Sequence, residues 1–519
     1  MSFSRFFQWS GAAWIYTLAF FVGNGYQFGG GDQAEHLPAL LQRWYPSLYS
    51  GDYFLQHLRD TASFDIRSHY VSFLALIAQD HSLAWWCFGL TVICLWLGVW
   101  AVMEWSARMM PTSLLTPFVA PLFTHFLFFH YWSLGDNLIA ENAFVSGTPA
   151  LAAGLWSLAW LSGVKVVQAG IAMAVAGWFH LLLGLHLLLM GIIYLFLARP
   201  LFWKRKIFLW LIPFLLLNGF DLWTLYQDRG FSANTCEGLS YGDYFIRYRL
   251  AHHFVISSFP FNHFLKFGFL VAMAFVLVLG PGVPLVLRNW SGMVGTVTAG
   301  CVAYYGLTEV AGLEAIFRTQ WPKTTIWASA GASLMIAGVA GKMCEDFLSY
   351  RLRIWIRWII PSLVLGAATF KEPPESCWPW EKQKDPLSEM HRFIRLHTPQ
   401  DALFLVDPTN DRFSYEARRP LLIGYRAVWP QPTRACSWFK DFSTVFRIPY
   451  SWPVKEKLID RASRAFREGK ITLYTQDRQA AYVLARRTDD VWRASERLKA
   501  IMENSQYVLY EVQSGADRP

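Results

Sequence analysis

Three ionisable side chains lie within five residues in the stretch GGGDQAEHLP, residues 29–38, directly after an apolar run. These are Asp32, Glu35 and His36. A helix starting here would place the carboxylates of Asp32 and Glu35 on one face, because they are three residues apart. Two close carboxylates can hold a divalent cation, or one can act as a general base. The same pattern also fits a helix from about Gln33 to Trp44, with Asp32 as N-cap and Glu35 in a capping arrangement.

Other acidic residues occur in neighbouring loops. Asp52, in YSGDYF, lies later in the same loop, although a Ser-Gly-Asp turn explains it nearly as well. Asp136 and Glu141 belong to a second stretch, GDNLIAEN, just before an apolar run. A polar hairpin between two membrane spans is the simpler explanation for that pair. We therefore treat Asp52, Asp136 and Glu141 as secondary candidates, together with His36.

Cationic side chains gather in two further stretches. RYRLAHHFVISSFP contains Arg249, His252 and His253, which can bind a phosphate or move a proton near neutral pH, or simply anchor the chain at the membrane interface. EAIFRTQWPKTT contains Arg318 and Lys323, which can clamp a phosphate ester or serve as ordinary loop charges.

His180 is a different case, because it falls between two apolar runs. A histidine at such a position is costly in a membrane and usually has a partner. We expect His180 at a turn between two spans and treat it as another secondary candidate, whereas His186 is expected to be a buried packing residue.

The composition indicates a membrane protein, since 54% of the 519 residues are hydrophobic and 16% are charged. A spanning helix needs about 20 mainly apolar residues. We count eleven such runs, several of them short. They are Ala12–Phe28, Leu83–Met103, Leu114–Trp132, Pro149–Leu161, Val164–Phe179, Leu181–Leu197, Ile207–Tyr226, His263–Gly280, Trp290–Leu307, Thr325–Ala340 and Ile354–Phe370.

The distribution of Lys and Arg predicts the orientation. Alternate connections are basic, which places the N-terminus in the cytoplasm and the residues after the eleventh span in the periplasm of a bacterial inner membrane. The candidate residues named above then fall on the outer face. The net charge of +9 suits anionic lipids. Nucleic acid is excluded as a partner, because the basic residues are dispersed over many loops.

The residues after the last span predict a second domain, so we divide the chain into 1–370 and 371–519. Residues 371–386 form a Pro-rich polar linker. Beyond it we expect a small α/β domain with helices at 386–397 and 491–504 and strands in ALFLVDP, RPLLIGY, AAYVLAR and QYVLYEV. Of the three cysteines on the outer face, Cys236, Cys377 and Cys436, the most plausible disulfide joins Cys377 to Cys436.

These features together resemble the GT-C superfamily of integral-membrane glycosyltransferases, which use polyprenyl-phosphate sugars. The segments GGGDQAEHLPALLQRWYPSLYSGDYFL, RLAHHFVISSFP and FIRLHTPQDALFLVDP also look like those of uncharacterised bacterial multi-pass proteins near that superfamily. The resemblance implies a mainly α, polytopic helical bundle with a small extracytoplasmic α/β domain. One departure is that DQAE replaces the adjacent acidic pair common in the superfamily.

The resemblance also implies roles for the candidate residues. Asp32 takes the position of the first-loop catalytic acid, as general base or metal ligand for Mg or Mn, and Glu35 assists it. The cationic residues Arg249, His252, His253, Arg318 and Lys323 become candidates for the donor phosphate site. The implied reaction is inverting sugar transfer from a polyprenyl-phosphate donor to an unknown outer acceptor. Two alternatives stay open: a transporter or flippase, and a non-catalytic scaffold of envelope biogenesis.

Overall fold

We describe the protein from a computed structural model. The described residues are 3–52, 54–55, 68–128, 132–135, 138–198, 203–227, 235–280, 283–372, 376–380, 385–425, 432–450, 456–475 and 477–513. The chain forms two compact units, each built from three separate segments. The helical unit comprises Met1–Gln27, Trp85–Tyr226 and His252–Trp378, and the mixed unit comprises Phe28–Ala84, Gln227–Ala251 and Pro379–Pro519. The segment after the first predicted apolar run, up to Ala84, and the segment Gln227–Ala251 after the seventh run therefore belong to the same unit as the tail.

Long apolar helices dominate the helical unit. Each of the eleven predicted apolar runs overlaps one helix, as expected where a backbone in hydrocarbon must satisfy its own hydrogen bonds. The helices are Phe3–Asn24, Leu83–Met109, Thr116–Leu122, Gly147–Ser162, Val166–Phe179, Leu181–Ala198, Trp203–Gln227, Phe261–Val278, Leu285–Tyr305, Thr325–Phe347 and Tyr350–Ala368. Thr116–Leu122 continues as a π-helix, Phe123–Leu127.

Five helical segments among the described residues are long and apolar enough to cross a membrane. Val166–Phe179 is apolar but shorter. Together with the small tail sheet described below, these helices make the chain a mainly α, polytopic membrane protein, as predicted. The five segments are Asp80–Met109, Leu181–Ala198, Ile207–Thr224, Phe261–Val278 and Glu314–Phe347.

Glycines let the helices of this unit pack closely around tryptophans. A Cβ added at Gly191 would overlap the ring of Trp210, and one at Gly154 would overlap the ring of Trp327. Both indoles are fully buried. Small residues at helix contacts allow this approach, because van der Waals packing rather than the hydrophobic effect holds helices together in lipid.

The mixed unit contains the small sheet of the tail. Its four strands are β1 (Phe404–Val406), β2 (Tyr482–Arg486), β3 (Leu498–Glu503) and β4 (Tyr507–Val512), in the spatial order β1-β2-β4-β3. β1 pairs parallel with β2, whereas β4 pairs antiparallel with both β2 and β3. Helix Pro386–His397, which we call the tail helix, packs Met390 and Ile394 against this sheet.

The other helices of the mixed unit are Gln33–Trp44, Ser68–Ile77, Phe413–Ala417, Pro432–Phe446 and Leu458–Arg467. Helix Gln33–Trp44, which we call the loop helix, has the predicted bounds. The tail helix is also confirmed, and so are the strands in ALFLVDP, AAYVLAR and QYVLYEV.

Two predictions for the tail are wrong. Residues 491–504 do not form a helix, because Leu498–Glu503 is the edge strand β3, with a bulge between Ala500 and Met502. The helix-forming residues of that stretch are overridden by pairing with the open edge of β4. RPLLIGY forms only an isolated bridge from Leu421 to Phe404 rather than a strand.

The predicted disulfide is also wrong, since Cys436 pairs with Cys236 instead of Cys377. The Cα atoms of Cys236 and Cys436 are 5.5 Å apart, within the range that a disulfide requires. Cys377 belongs to the helical unit, where its N–H donates to the Tyr26 carbonyl at 2.7 Å. Its thiol is not in a disulfide.

Candidate functional site

Asp32 immediately precedes the loop helix but does not cap it. Its backbone is helical (φ −66°, ψ −18°), and its side chain accepts no hydrogen bond from the first turn. An N-cap residue normally has extended dihedrals, which bring its side chain back over the free N–H groups. The predicted capping hydrogen bond from the Asp32 side chain is therefore wrong, although the helix itself is correct.

Other contacts hold the glycine loop that precedes Asp32. Gly29 and Gly31 have φ values of +86° and +61°, a region that glycine enters without strain. The Gly29 N–H donates to Gln33 Oε1 at 2.7 Å, and the Gly31 N–H donates to Asp411 Oδ2 at 2.9 Å. A carboxylate from the tail thus anchors the loop, an arrangement that the sequence did not indicate.

Glu35 and Asp52 line one cavity of the mixed unit. The cavity holds about 30 Å³, enough for a few atoms of ligand or a water molecule. Gly424 and Trp438, from the tail, also line it. The structure therefore brings two candidates from the first loop together with tail residues that the sequence analysis missed. No motif pointed to Gly424 or Trp438, because their position depends on tertiary packing.

The carboxylate of Asp52 is buried and well connected. Oδ1 accepts the N–H groups of Phe54 and Leu55, both at 3.0 Å, and Oδ2 accepts that of Leu421 at 3.3 Å. Burial raises the pKa of Asp52, an effect that these hydrogen bonds and Arg478 only partly offset. Asp52 thus joins the first loop to the tail, and it does more than the predicted Ser-Gly-Asp turn requires.

Arg249 is held within the mixed unit by an aromatic residue of the tail. Its Nε donates to the Tyr425 carbonyl at 3.0 Å, and its guanidinium lies 3.9 Å from the centre of the Tyr425 ring. The ring of Trp438, which lines the Glu35 and Asp52 cavity, is 6.0 Å away. These distances are typical of cation–π contacts.

His36 is buried on the loop helix, with its ring centre 4.9 Å from that of Tyr70. This contact makes His36 a packing residue of the helix pair Gln33–Trp44 and Ser68–Ile77.

His252 and His253 belong to the helical unit and lie on the short helix Ala251–Phe254. Their ring centres are 4.0 Å apart, and His253 Nδ1 is 3.2 Å from the Gly135 carbonyl oxygen. His253 therefore contacts the start of the second predicted acidic loop. Asp136, the next residue of that loop, lies outside the described residues.

Glu141, in the same loop, lines a small cavity with His125. His125 lies on the π-helix Phe123–Leu127, is buried, and has Nδ1 2.8 Å from Thr124 Oγ1. His125 is not among the candidates predicted from the sequence, although a histidine within an apolar run was the available signal. π-Helical turns often occur at functional positions.

The remaining candidates lie at helix ends of the helical unit. Arg318 ends the short helix Glu314–Phe317, and Lys323 lies in the 3₁₀-helix Trp321–Thr324. His180 ends helix Val166–Phe179 at the predicted turn between two apolar helices. His186 is buried as predicted, with Nε2 2.9 Å from the Thr319 carbonyl oxygen.

A metal site is not evident from side-chain clustering. Within the described ranges, no group of three or more His, Cys, Asp or Glu residues is arranged to hold a metal ion. The pair Asp32 and Glu35, at the start of the loop helix, supplies two carboxylates at most. Water or substrate oxygens would have to complete the coordination of a divalent cation there, which is usual for Mg²⁺.

Comparisons with known proteins match the tail and, at low similarity, the whole chain. A family model described as a domain of unknown function (DUF6798) matches residues 385–445. A search of curated proteins finds no match. Among solved structures, ArnT from Cupriavidus metallidurans, in a crystal structure with bound undecaprenyl phosphate, is 11% identical over 100% of both chains, with a TM-score of 0.43. The family match contains Asp411, Gly424 and Trp438, the tail residues that contact the glycine loop or line the cavity.

Proposed function

We propose that the protein is a membrane glycosyltransferase that moves a sugar from a polyprenyl-phosphate donor to an extracytoplasmic acceptor. The observation that carries this proposal is the position of Asp32. It opens the loop helix without capping it, while other groups hold the glycine loop. The main alternative role for Asp32 was to cap the loop helix. Its side chain makes no capping hydrogen bond, so this role does not explain why an aspartate is present at this position.

In the proposed reaction, Asp32 accepts the proton of the acceptor hydroxyl. The acceptor oxygen forms a bond to the anomeric carbon from the side opposite the phosphate, and the bond between that carbon and the phosphate oxygen breaks. The polyprenyl phosphate leaves with the bonding electrons, and the configuration inverts. A general base commonly contributes about 10²–10⁴-fold to such a step.

The leaving phosphate needs positive charge nearby. We assign this role to Arg249, His252, His253, Arg318 and Lys323. For Arg249 the support is its fixed orientation, since Nε is bonded to the Tyr425 carbonyl and the guanidinium stacks on that ring. For His253 it is the contact with Gly135 in the second loop.

A divalent cation, Mg or Mn, is part of the proposal. Asp32 and Glu35 would hold it, because they are three residues apart at the start of one helix. When bound, such an ion would neutralise phosphate charge. The side chains of this protein would still position the acceptor and take its proton.

The proposal also includes the orientation. The apolar helices support a multi-pass protein, which we place in the bacterial inner membrane among anionic lipids. The positive-inside distribution supports a cytoplasmic N-terminus and a periplasmic tail. The candidate loops then meet a lipid-linked donor at the outer face.

The test is transfer of labelled sugar from polyprenyl-phosphate donors by membranes containing wild-type or Asp32→Asn protein. We expect loss of about 10²-fold or more in the variant. The matched control is Asp401→Asn, an exposed aspartate of the same unit, which should leave transfer unchanged. Binding of undecaprenyl phosphate, measured in parallel, should persist in both variants. Transfer retained by Asp32→Asn at equal expression would contradict the assignment.

A further inference from the structure

A second cavity of the mixed unit is about ten times larger than the one beside Asp52, at about 300 Å³ against about 30 Å³. Ligand pockets for small molecules begin at about this size. Three arginines, Arg392, Arg395 and Arg418, contribute to its lining, together with Ser388 and Tyr415. The cavity is therefore large enough for a small organic ligand and is rich in cationic donors.

The arginines converge from two directions. Arg392 and Arg395 are three residues apart on the tail helix, so both side chains project from one side of it. Ser388 is one turn earlier on the same side. Arg418 follows helix Phe413–Ala417 in a left-handed conformation, with φ +53°. This uncommon backbone conformation of a non-glycine residue turns the chain sharply where Arg418 joins the lining.

Positive charge exceeds negative charge around the cavity. Arg418 donates to both carboxylate oxygens of Asp80, at 2.6 Å each, and is the only one of the three arginines with an ion pair to a described residue. Its Nε is buried without a hydrogen-bond partner in the described part of the chain. A buried guanidinium nitrogen without an acceptor carries a desolvation cost. The more accessible cationic donors of the cavity are therefore Arg392 and Arg395, whose side chains are exposed.

The cavity lining also contains the carboxylate of Glu416, which already interacts with other side chains. Glu416 Oε2 lies 2.7 Å from Nδ1 of the buried His391 and accepts the Ser388 hydroxyl at 3.3 Å. Glu416 Oε1 lies 3.5 Å from Arg412. Within the described residues, Glu416 therefore pairs with His391 and Arg412 rather than with Arg392 or Arg395. Desolvation and the neighbouring charge of Arg418 lower the pKa of Arg395, and the charge of Asp80 partly offsets this effect.

We propose that this cavity is a binding site for a phosphate monoester of about sugar-phosphate size. Guanidinium groups bind phosphate oxygens through paired N–H donors, and two or three of them around one group are typical of phosphate recognition. The cavity volume of about 300 Å³ leaves room for an organic part beside the phosphate, and Tyr415 is the aromatic residue of the lining. The inference does not depend on the proposed sugar transfer, because it concerns other residues and a binding event.

Binding is tested with full-length protein in nanodiscs of neutral phosphatidylcholine. The soluble probes are glucose 1-phosphate and inorganic phosphate, with glucose as the uncharged comparison, and binding is measured by calorimetry. A second set of nanodiscs contains phosphatidic acid, and the rise in Tm reports its binding. Glucose 1-phosphate binding identifies a soluble ligand, whereas stabilisation by phosphatidic acid alone identifies a lipid head group. Either result supports a phosphate monoester site.

The diagnostic variants are Arg392→Gln and Arg395→Gln, whose side chains are exposed and should tolerate replacement. Each should weaken binding by about 10- to 100-fold, the effect of losing one charged hydrogen-bonding group. Arg487→Gln removes the same charge from an exposed pair with Glu503 in the same unit and should not change binding. The proposal is overturned if neither phosphate ester binds, if glucose binds equally well, or if all three variants behave alike.

Discussion

The carboxylate of Asp52 accepts the backbone N–H of Leu421 at 3.3 Å, so that two residues 369 positions apart in sequence are joined by one partly buried hydrogen bond. The other carboxylate oxygen accepts the N–H groups of Phe54 and Leu55. One side chain thereby closes its own turn and attaches it to the tail.

Replacing Asp52 should destabilise the mixed unit. Asp52→Ala leaves three N–H groups without acceptors, two of them in buried hydrogen bonds, and we expect a loss of about 1–3 kcal/mol. Asp52→Asn keeps one acceptor oxygen but places an N–H₂ group against a donor, so its loss should be smaller but measurable. The measurement is thermal unfolding of the purified protein in detergent. An unchanged Tm for Asp52→Ala would contradict the role assigned to this carboxylate.

Stability should also depend on pH through Asp52. Burial raises its pKa in the folded protein above the usual value of 3.8. The folded state therefore binds this proton more tightly than the unfolded state. Its contribution to stability is fully present below pH 3.8 and is lost as the pH rises through the raised pKa. The Tm advantage of wild type over Asp52→Asn should accordingly shrink as the pH rises from 3.8 through the raised pKa. An advantage that grows over this interval would contradict the direction of the shift.

Cysteine replacement should separate the observed disulfide from the predicted one. Cys436→Ser removes the bond to Cys236 and should cost about 2–5 kcal/mol, because the unfolded chain is no longer crosslinked. Cys377→Ser removes no bond and should leave the Tm unchanged. Thiol labelling of denatured, unreduced protein provides the direct measurement. Wild type should lack label at Cys236 and Cys436, whereas Cys436→Ser should expose Cys236. Labelled Cys436 in oxidised wild-type protein would contradict the pairing.

Packing around Trp210 should be intolerant of a single methyl group. In Gly191→Ala the new Cβ would overlap the buried indole, and overpacking of this kind typically costs about 1–3 kcal/mol. Gly89→Ala is the matched control, because a Cβ there meets nothing within 4 Å and alanine favours a helix. Thermal unfolding in detergent should show a lower Tm only for the first variant. If Gly191→Ala had the same Tm as Gly89→Ala, the helices around Trp210 could move apart without loss of stability, which would contradict the prediction.

Anchoring of the glycine loop should be detectable in both stability and transfer. Asp411→Ala removes the acceptor of the Gly31 N–H, a bond to a charged group worth about 1.5–3 kcal/mol. We expect transfer to fall by more than the loss of folded protein explains, because Asp32 follows Gly31 directly. Asp411→Asn keeps one oxygen and should be intermediate. If both variants transfer sugar normally per folded molecule, the anchor is dispensable for function.

The sequence alone predicted those features that depend on residues close together in the chain, such as helix bounds and apolar runs. The bounds 33–44 and 386–397 were predicted correctly because apolar residues repeat at helical spacing and each helix has a clear start. The eleven apolar runs were located because a backbone in lipid must form its own hydrogen bonds. In the first loop, residue type and helical spacing alone selected Asp32 and Glu35 as candidates, because both are local properties of the chain.

Tertiary structure decided which distant residues meet. The helix expected at 491–504 became strand β3, because an open edge of β4 was available for pairing. Asp32 has the residue type of an N-cap but not its dihedrals, and the glycine loop before it is held by Asp411 from the tail. Cys436 forms a disulfide with Cys236 rather than with Cys377. Each outcome depends on contacts between segments far apart in the chain, and residue types and spacing contain no direct record of such contacts.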